Sequence, residues 1–408
     1  MAAMNHAANI RMSHWAVAWS LTAVLGASSS RADESSALSV RVQGNHLIDA
    51  GGHVLQLRGV NVSGLEFAAV NGRPEPDGWG GQKPNLSAIA AWKVNAIRVP
   101  LNEASYLGYL CYDPPTGSAH KPDPAGNYKQ VVKQIVTEAT AHGWYVILDL
   151  HKNAPNGMVK GKRVPIAPQS SAQNEMADAD HSLAFWTALA NEYKDHPNVI
   201  FDLFNEPHFD NFIAPAGASA TEAAWNLLRD GGTGKVYYGA NMTFTENWKS
   251  AGMQAMVDAV RATGAANVVM VAGVSWAQDN SHWLEFAPKD PLKQLALSWH
   301  AYPKYGAKYG TPEYNFPGFA QGYVWAQAIH DAGYPIIIGE TGDQSSDGTK
   351  SAPFLAGLLA WADQRNVSVI GWSWNAWGSP GADLIKDANG TPTDGQGVAF
   401  NSWLVNHK

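Results

Sequence analysis

The chain has 408 residues, 45% of them hydrophobic, 11% aromatic and only 15% charged, with 17 tryptophans and a net charge of −7. So much apolar material supports a large core, whereas an acidic balance without a run of lysines or arginines excludes the electrostatic footprint of a nucleic-acid or anionic-membrane binder. The single cysteine, Cys111, and the lack of a Cys/His cluster at metal-ligand spacing exclude a disulfide scaffold and a structural zinc, so no metal and no cofactor is expected.

In chain order, Arg11 precedes an apolar stretch from Trp15 to Leu25, and small residues lead from there to Ser30-Arg31-Ala32. That pattern reads as a secretory signal peptide over residues 1–32, because the apolar stretch falls short of the roughly 20 residues of a spanning helix. Its removal takes Arg11 and Arg31, leaving residues 33–408 with a net charge of −9. The expectation is a secreted protein of the medium or periplasm, unattached to membrane after processing and acting as a monomer. Asn61-Val-Ser63, Asn241-Met-Thr243 and Asn366-Val-Ser368 match the glycosylation sequon.

After a short hairpin pattern at 39–57, strand-like apolar runs recur at Leu55–Val60, Ala96–Val99, Tyr145–Leu150, Val199–Leu203, Val268–Ala272, Leu295–Ser298, Ile336–Ile338 and Val369–Trp372. Between them the spacing predicts helices at 128–142, 182–195, 247–263, 318–332 and 352–364. In the first of these Val131, Val132, Ile135, Val136 and Ala139 share one face before Gly143. Eight β-then-α units without a Ser/Pro-rich linker predict a single (β/α)8 barrel over 33–408. A dinucleotide-binding fold is excluded, since no Gly-x-Gly-x-x-Gly follows the first strand.

Polar residues gather where these runs end: Arg98, His151, Asn205 with Glu206, His300 with Tyr302, Glu340, and Trp374. The C-terminal strand ends of such a barrel share one mouth, so these side chains are expected in one cleft. Cleaving a glycosidic bond takes two carboxyl groups, one protonated and one ionised. Glu206 and Glu340 end the fourth and seventh strands and can face each other. Arg98 and Tyr302 are suited to keeping a carboxylate ionised, and Asn205 offers an amide for a sugar hydroxyl. Asp149 and Asp202 share the parity of His151 and Glu206, which puts them one layer lower as buried, paired supports with Arg58 as a partner. Trp79, Tyr106, Tyr109, Tyr112, Trp276, Trp283, Tyr305, Tyr309 and Trp377, together with Trp374, fall in post-strand loops where flat rings can stack on sugars.

Taken in order, Arg98, His151, Asn205-Glu206-Pro207, His300-Ala301-Tyr302, Glu340 and Trp374 resemble glycoside hydrolase family five, the retaining (β/α)8 cellulase family, over residues 53–400. The resemblance implies Glu206 as acid/base and Glu340 as nucleophile. It implies Asn205 on the sugar 2-hydroxyl, Arg98 and Tyr302 poising Glu340, His151 and His300 lining the cleavage subsite, and Trp374 as its platform. Thr341-Gly342 after Glu340 looks like the branch containing β-1,4-endoglucanases. The expected activity is therefore endo-β-1,4-glucanase on cellulose or related β-glucan polysaccharides and oligosaccharides. Mannan, xyloglucan or mixed-linkage glucan is the alternative substrate, and a non-catalytic carbohydrate-binding barrel is the alternative from another class.

Overall fold

The computed structural model describes residues 38–67, 84–108, 127–154, 157–159, 162–164, 174–209, 212–213, 216–217, 219–238, 244–303, 316–342, 353–379 and 382–407. These belong to one compact unit, Ala37–Lys408. The expected export segment lies outside the described residues, as do Trp79, Tyr109, Tyr112, Asn241, Tyr305 and Tyr309.

Eight parallel strands close into a barrel: Arg58–Asn61, Ala96–Asn102, Tyr145–Lys152, Val199–Asp202, Val269–Ala272, Leu295–His300, Ile336–Glu340 and Ser368–Gly371. The last pairs with the first, Val369 opposite Arg58 and Gly371 opposite Val60. This is the predicted (β/α)8 barrel, and each strand overlaps one of the apolar runs. The runs are continuous rather than alternating because both faces of a parallel strand are covered. Val146, Leu148 and Leu150 pack outward under the helices, while Tyr145, Ile147, Asp149 and His151 share the inner face.

Inside, the barrel is layered. Leu57, Ala96, Ile147, Ile200, Met270, Ala296, Ile337 and Ile370 form an apolar floor, joined by Leu47 of the antiparallel hairpin Arg41–Gln43/His46–Ile48. Two residues further along their strands, the side chains become Arg98, Asp149, Asp202 and Ser298, all fully buried. The floor thus excludes water from beneath a layer of charge.

Helices lie near the predicted positions. Asn127–Ala141 buries Tyr128, Val132, Ile135, Val136 and Ala139, and Gly143 ends it at a φ of 76°. One prediction needs correcting. Residues 247–263 are not one helix: Phe244–Ser250 is a strand antiparallel to Gly232–Tyr238, and the helix is Met253–Ala262. The turn between them is fixed by Gly252, where a Cβ would lie 2.4 Å from the Gly231 nitrogen. This hairpin is an insertion between the fourth and fifth barrel strands.

Candidate active site

Arg98 is the hub of the mouth. Its side chain is fully buried on the second strand, and its planar fork of donors is used on every side. Nη1 donates to Glu340 Oε1 and to Asn61 Oδ1, both at 2.9 Å. Nη2 donates to Asn205 Oδ1 at 2.9 Å and stands 3.1 Å from Asp149 Oδ2, while Nε donates to Asp202 Oδ2 at 3.0 Å. The aspartates therefore face inward as expected, but their partner is Arg98 and not Arg58. Arg58 begins its strand at the opposite end of the barrel and is half-buried near Gln56 and Asp363.

Glu340 is gripped on both oxygens. The Tyr302 hydroxyl donates to Oε2 at 3.0 Å, opposite the Arg98 contact on Oε1. His300 Nδ1 lies between the two glutamates, 2.9 Å from Glu206 Oε1 and 3.6 Å from Glu340 Oε2. One oxygen of each glutamate and a nitrogen of His300 all fall within 4.8 Å of one another. A register shift beside His300 brings Glu340 opposite it. Gly339 makes that possible, since a Cβ there would meet His300 Nε2 at 3.2 Å. On the other flank, His151 Nδ1 is 2.8 Å from Asp149 Oδ2, and its Nε2 is 3.4 Å from Asn205 Nδ2. Seven of the eight predicted site residues are thereby joined through short polar contacts. The eighth, Trp374, is tied in by its backbone N–H, which donates to Asn61 O at 2.8 Å.

Electrostatics depart from expectation at one point. Arg98 and Tyr302 are suited to keeping a carboxylate ionised, yet the Glu340 carboxyl is pushed up to about 7. Burial is the largest cause; the Glu206 charge adds to it, and Arg98 opposes it without prevailing. Burial likewise pushes His300 down to about 4, so above that pH the ring is neutral with a single N–H. Tyr302, buried beside two glutamates, is held well above the ordinary phenol range and stays a donor.

The aromatic expectations divide. Trp374 is only 4% exposed, packed edge to face on Trp92 at 4.9 Å and fitted against Gly390, where a Cβ would come within 3.0 Å of the indole. Tyr106 and Trp283 are core residues and not sugar platforms: the first packs on Phe185, and the second donates from Nε1 to Val271 O. Trp276 is half-buried and stacks on His208 at 3.9 Å, and Trp377 is exposed. Asn61 is no glycosylation acceptor, being fully buried with its amide on Gly339 O. Sequence reading missed it as a site residue, although its place at the end of the first strand was the available signal. Trp372, stacked on His151 at 5.6 Å, was also missed.

A second polar cluster lies deeper in the loops: Glu103, Asp178 and His181 bring donor atoms within 4.8 Å. Their oxygens accept from Ser182 Oγ and from the backbone of Ala154, Asp180 and His181, so the cluster ties loops together. Among the described residues no helix is long and apolar enough to cross a membrane.

Comparison with known proteins bears on the family and the fold. Residues 48–378 match the model of the cellulase family, glycosyl hydrolase family 5. The chain is 24% identical to endoglucanase Z of Dickeya dadantii over 339 residues, 80% of this chain and 60% of that protein. It is 23% identical over 381 residues to a mannan endo-1,4-beta-mannosidase of Streptomyces lividans, 92% of this chain and 76% of that one. It therefore spans less than two thirds of the length of endoglucanase Z. Among solved structures, a beta-glucanase of Saccharophagus degradans in complex with cellotetraose has a similar fold, with a TM-score of 0.60 at 21% identity over 90% of this chain and 93% of that one. With the match covering most of the chain and the barrel closed as described, the protein belongs to the cellulase family of glycoside hydrolases, family 5.

Proposed function

We propose that the protein is an exported endo-β-1,4-glucanase that cleaves internal bonds of cellulose or a related β-glucan by two displacements, with Glu340 as nucleophile and Glu206 as acid/base. One observation carries the reading. The carboxyl oxygens of Glu206 and Glu340 approach within 4.8 Å, with His300 between them. That closeness suits direct attack by a carboxylate, whose usual carboxyl separation of about 5–5.5 Å is smaller than the roughly 6.5–9.5 Å that makes room for an interposed water.

The chemistry follows from the contacts. Glu340 attacks the anomeric carbon with one oxygen while Arg98 and Tyr302 hold its two oxygens in place, so little reorganisation is left for the reaction. Glu206, more open to the cleft with its side chain 14% exposed, protonates the departing oxygen and later takes a proton from the water that releases the sugar. Asn205 has its carbonyl oxygen fixed by Arg98, which turns its amide N–H groups toward His151 and a sugar hydroxyl. Trp374 lines the cleavage subsite. Residues 1–32 act as the export signal, residues 33–408 as the catalytic domain, and the mature enzyme works as a monomer.

The test is release of reducing sugar from carboxymethyl cellulose, glucomannan and xyloglucan. Fastest release from carboxymethyl cellulose supports the reading. Fastest release from glucomannan would move the substrate to mannans, the substrate in the name of the Streptomyces lividans relative. No release from any of them would leave a carbohydrate-binding barrel.

A further inference from the structure

We propose that Asp149 and Asp202 share one proton across the two strands that carry them, so that the pair bears a single negative charge set against Arg98. The two residues are register partners on adjacent parallel strands, whose axes stand about 4.8 Å apart, and both side chains are fully buried. Each Oδ2 is already used. That of Asp149 faces Arg98 Nη2 and His151 Nδ1; that of Asp202 accepts from Arg98 Nε and from Ser298 Oγ at 3.3 Å. Each Oδ1 is buried and, among the described residues, finds no hydrogen-bond partner. A proton held by the pair removes one of two buried charges whose Oδ1 atoms meet no donor, a cost that two ionised carboxylates would bear in full.

The charge count favours the same proton. Among the described residues, Arg98 is the one cation in contact with three buried carboxylates, Asp149, Asp202 and Glu340. The imidazoles of His151 and His300 are pushed down by burial and add no charge, and burial pushes the Lys152 ammonium down as well, against the opposing charges of Glu66 and Glu206. Burial pushes Asp149 up to about 7 and Asp202 up to about 6, with Asp149 raising Asp202 further. On the reading of Glu340 as nucleophile, on which this consequence rests, the pair matches Arg98 when Glu340 becomes an ester and loses its charge. With two charges instead of one, the pair would pull the guanidinium field off Glu340. Asp149 and Asp202 are thus positioning residues that act through Arg98.

The test follows the aspartate carboxyl carbons of the intact, 13C-labelled enzyme by NMR as pH is raised. Two resonances should titrate together, with a second step above about pH 5, where an ordinary aspartate is already ionised. Absence of any late step, or a late step confined to one resonance, overturns the proposal. Asn imitates the protonated form, so D149N and D202N should each abolish the shared step and leave the acid limb of kcat/KM in place. The double variant should move that limb down by about one pH unit. A similar shift in either single variant would mean that both aspartates were ionised, against the proposal. A shared step in the native enzyme with an unmoved limb in the double variant would keep the proton and count against Glu340 as the rate-limiting ionisation.

Discussion

Arg98 Nη1 stands 2.9 Å from Glu340 Oε1, and the Glu340 carboxyl is nonetheless raised to about 7. A nucleophile must be ionised, so kcat/KM should climb with pH until Glu340 has lost its proton, with the acid limb centred near neutrality. A limb centred in the ordinary glutamate range of about 4.3 would show that Arg98 outweighs burial.

Removing the guanidinium separates its two duties. Arg98→Met leaves Asp149, Asp202 and Glu340 buried without their cation, and breaking a buried pair costs about 3–5 kcal/mol. The variant should melt at a much lower temperature and, where still folded, show an acid limb displaced to higher pH. An unmoved limb would restrict Arg98 to a structural role.

The two glutamates should differ on activated substrates. Glu206→Gln loses most activity on polymer but retains more on aryl glycosides, whose leaving groups need no proton, whereas Glu340→Gln loses both. Equal losses on aryl glycosides would overturn the assignment of roles.

Stability should fall as pH rises through 6 to 7. The proton shared by Asp149 and Asp202 and the proton of Glu340 both leave at raised folded-state values, between about 6 and about 7, so their contribution is fully present below the unfolded values and is lost as pH climbs through the folded ones. Melting curves across that window should show the decline, and Asp202→Asn should flatten it. An unchanged slope would put the titrating groups elsewhere.

Trp374→Ala removes an indole packed on Trp92 and Gly390 in the wall of the mouth. A loss of about 3–5 kcal/mol of stability is expected for a buried tryptophan. If it also lines the cleavage subsite, kcat falls along with affinity. A rise in KM alone would move it to a remote subsite.

The barrel was legible because covered parallel strands write themselves as unbroken apolar runs, and because polar residues such as His151 and Glu340 could only stand where those runs stop. Inward parity of Asp149 and Asp202 was legible for the same reason. Their partner was not: Arg58 and Arg98 both belong to barrel strands, and which one meets the aspartates depends on how far along its strand each lies. Tyr106 and Trp283 failed as platforms because an aromatic in a loop reads alike whether it meets sugar or core. The hairpin after Gly232 was lost in the helical period of the segment that follows it, since the turn at Gly252 is set by a backbone approach from Gly231, distant in sequence. The rise at Glu340 arises from burial and from Glu206, both products of the closed barrel.

The most direct measurement is the anomeric configuration of the first products, followed by proton NMR on a soluble β-1,4-glucan oligosaccharide. Two displacements at one carbon restore its configuration, so attack by Glu340 with Glu206 as acid predicts the β anomer first and the α anomer only through later mutarotation. Early appearance of the α anomer would contradict the account.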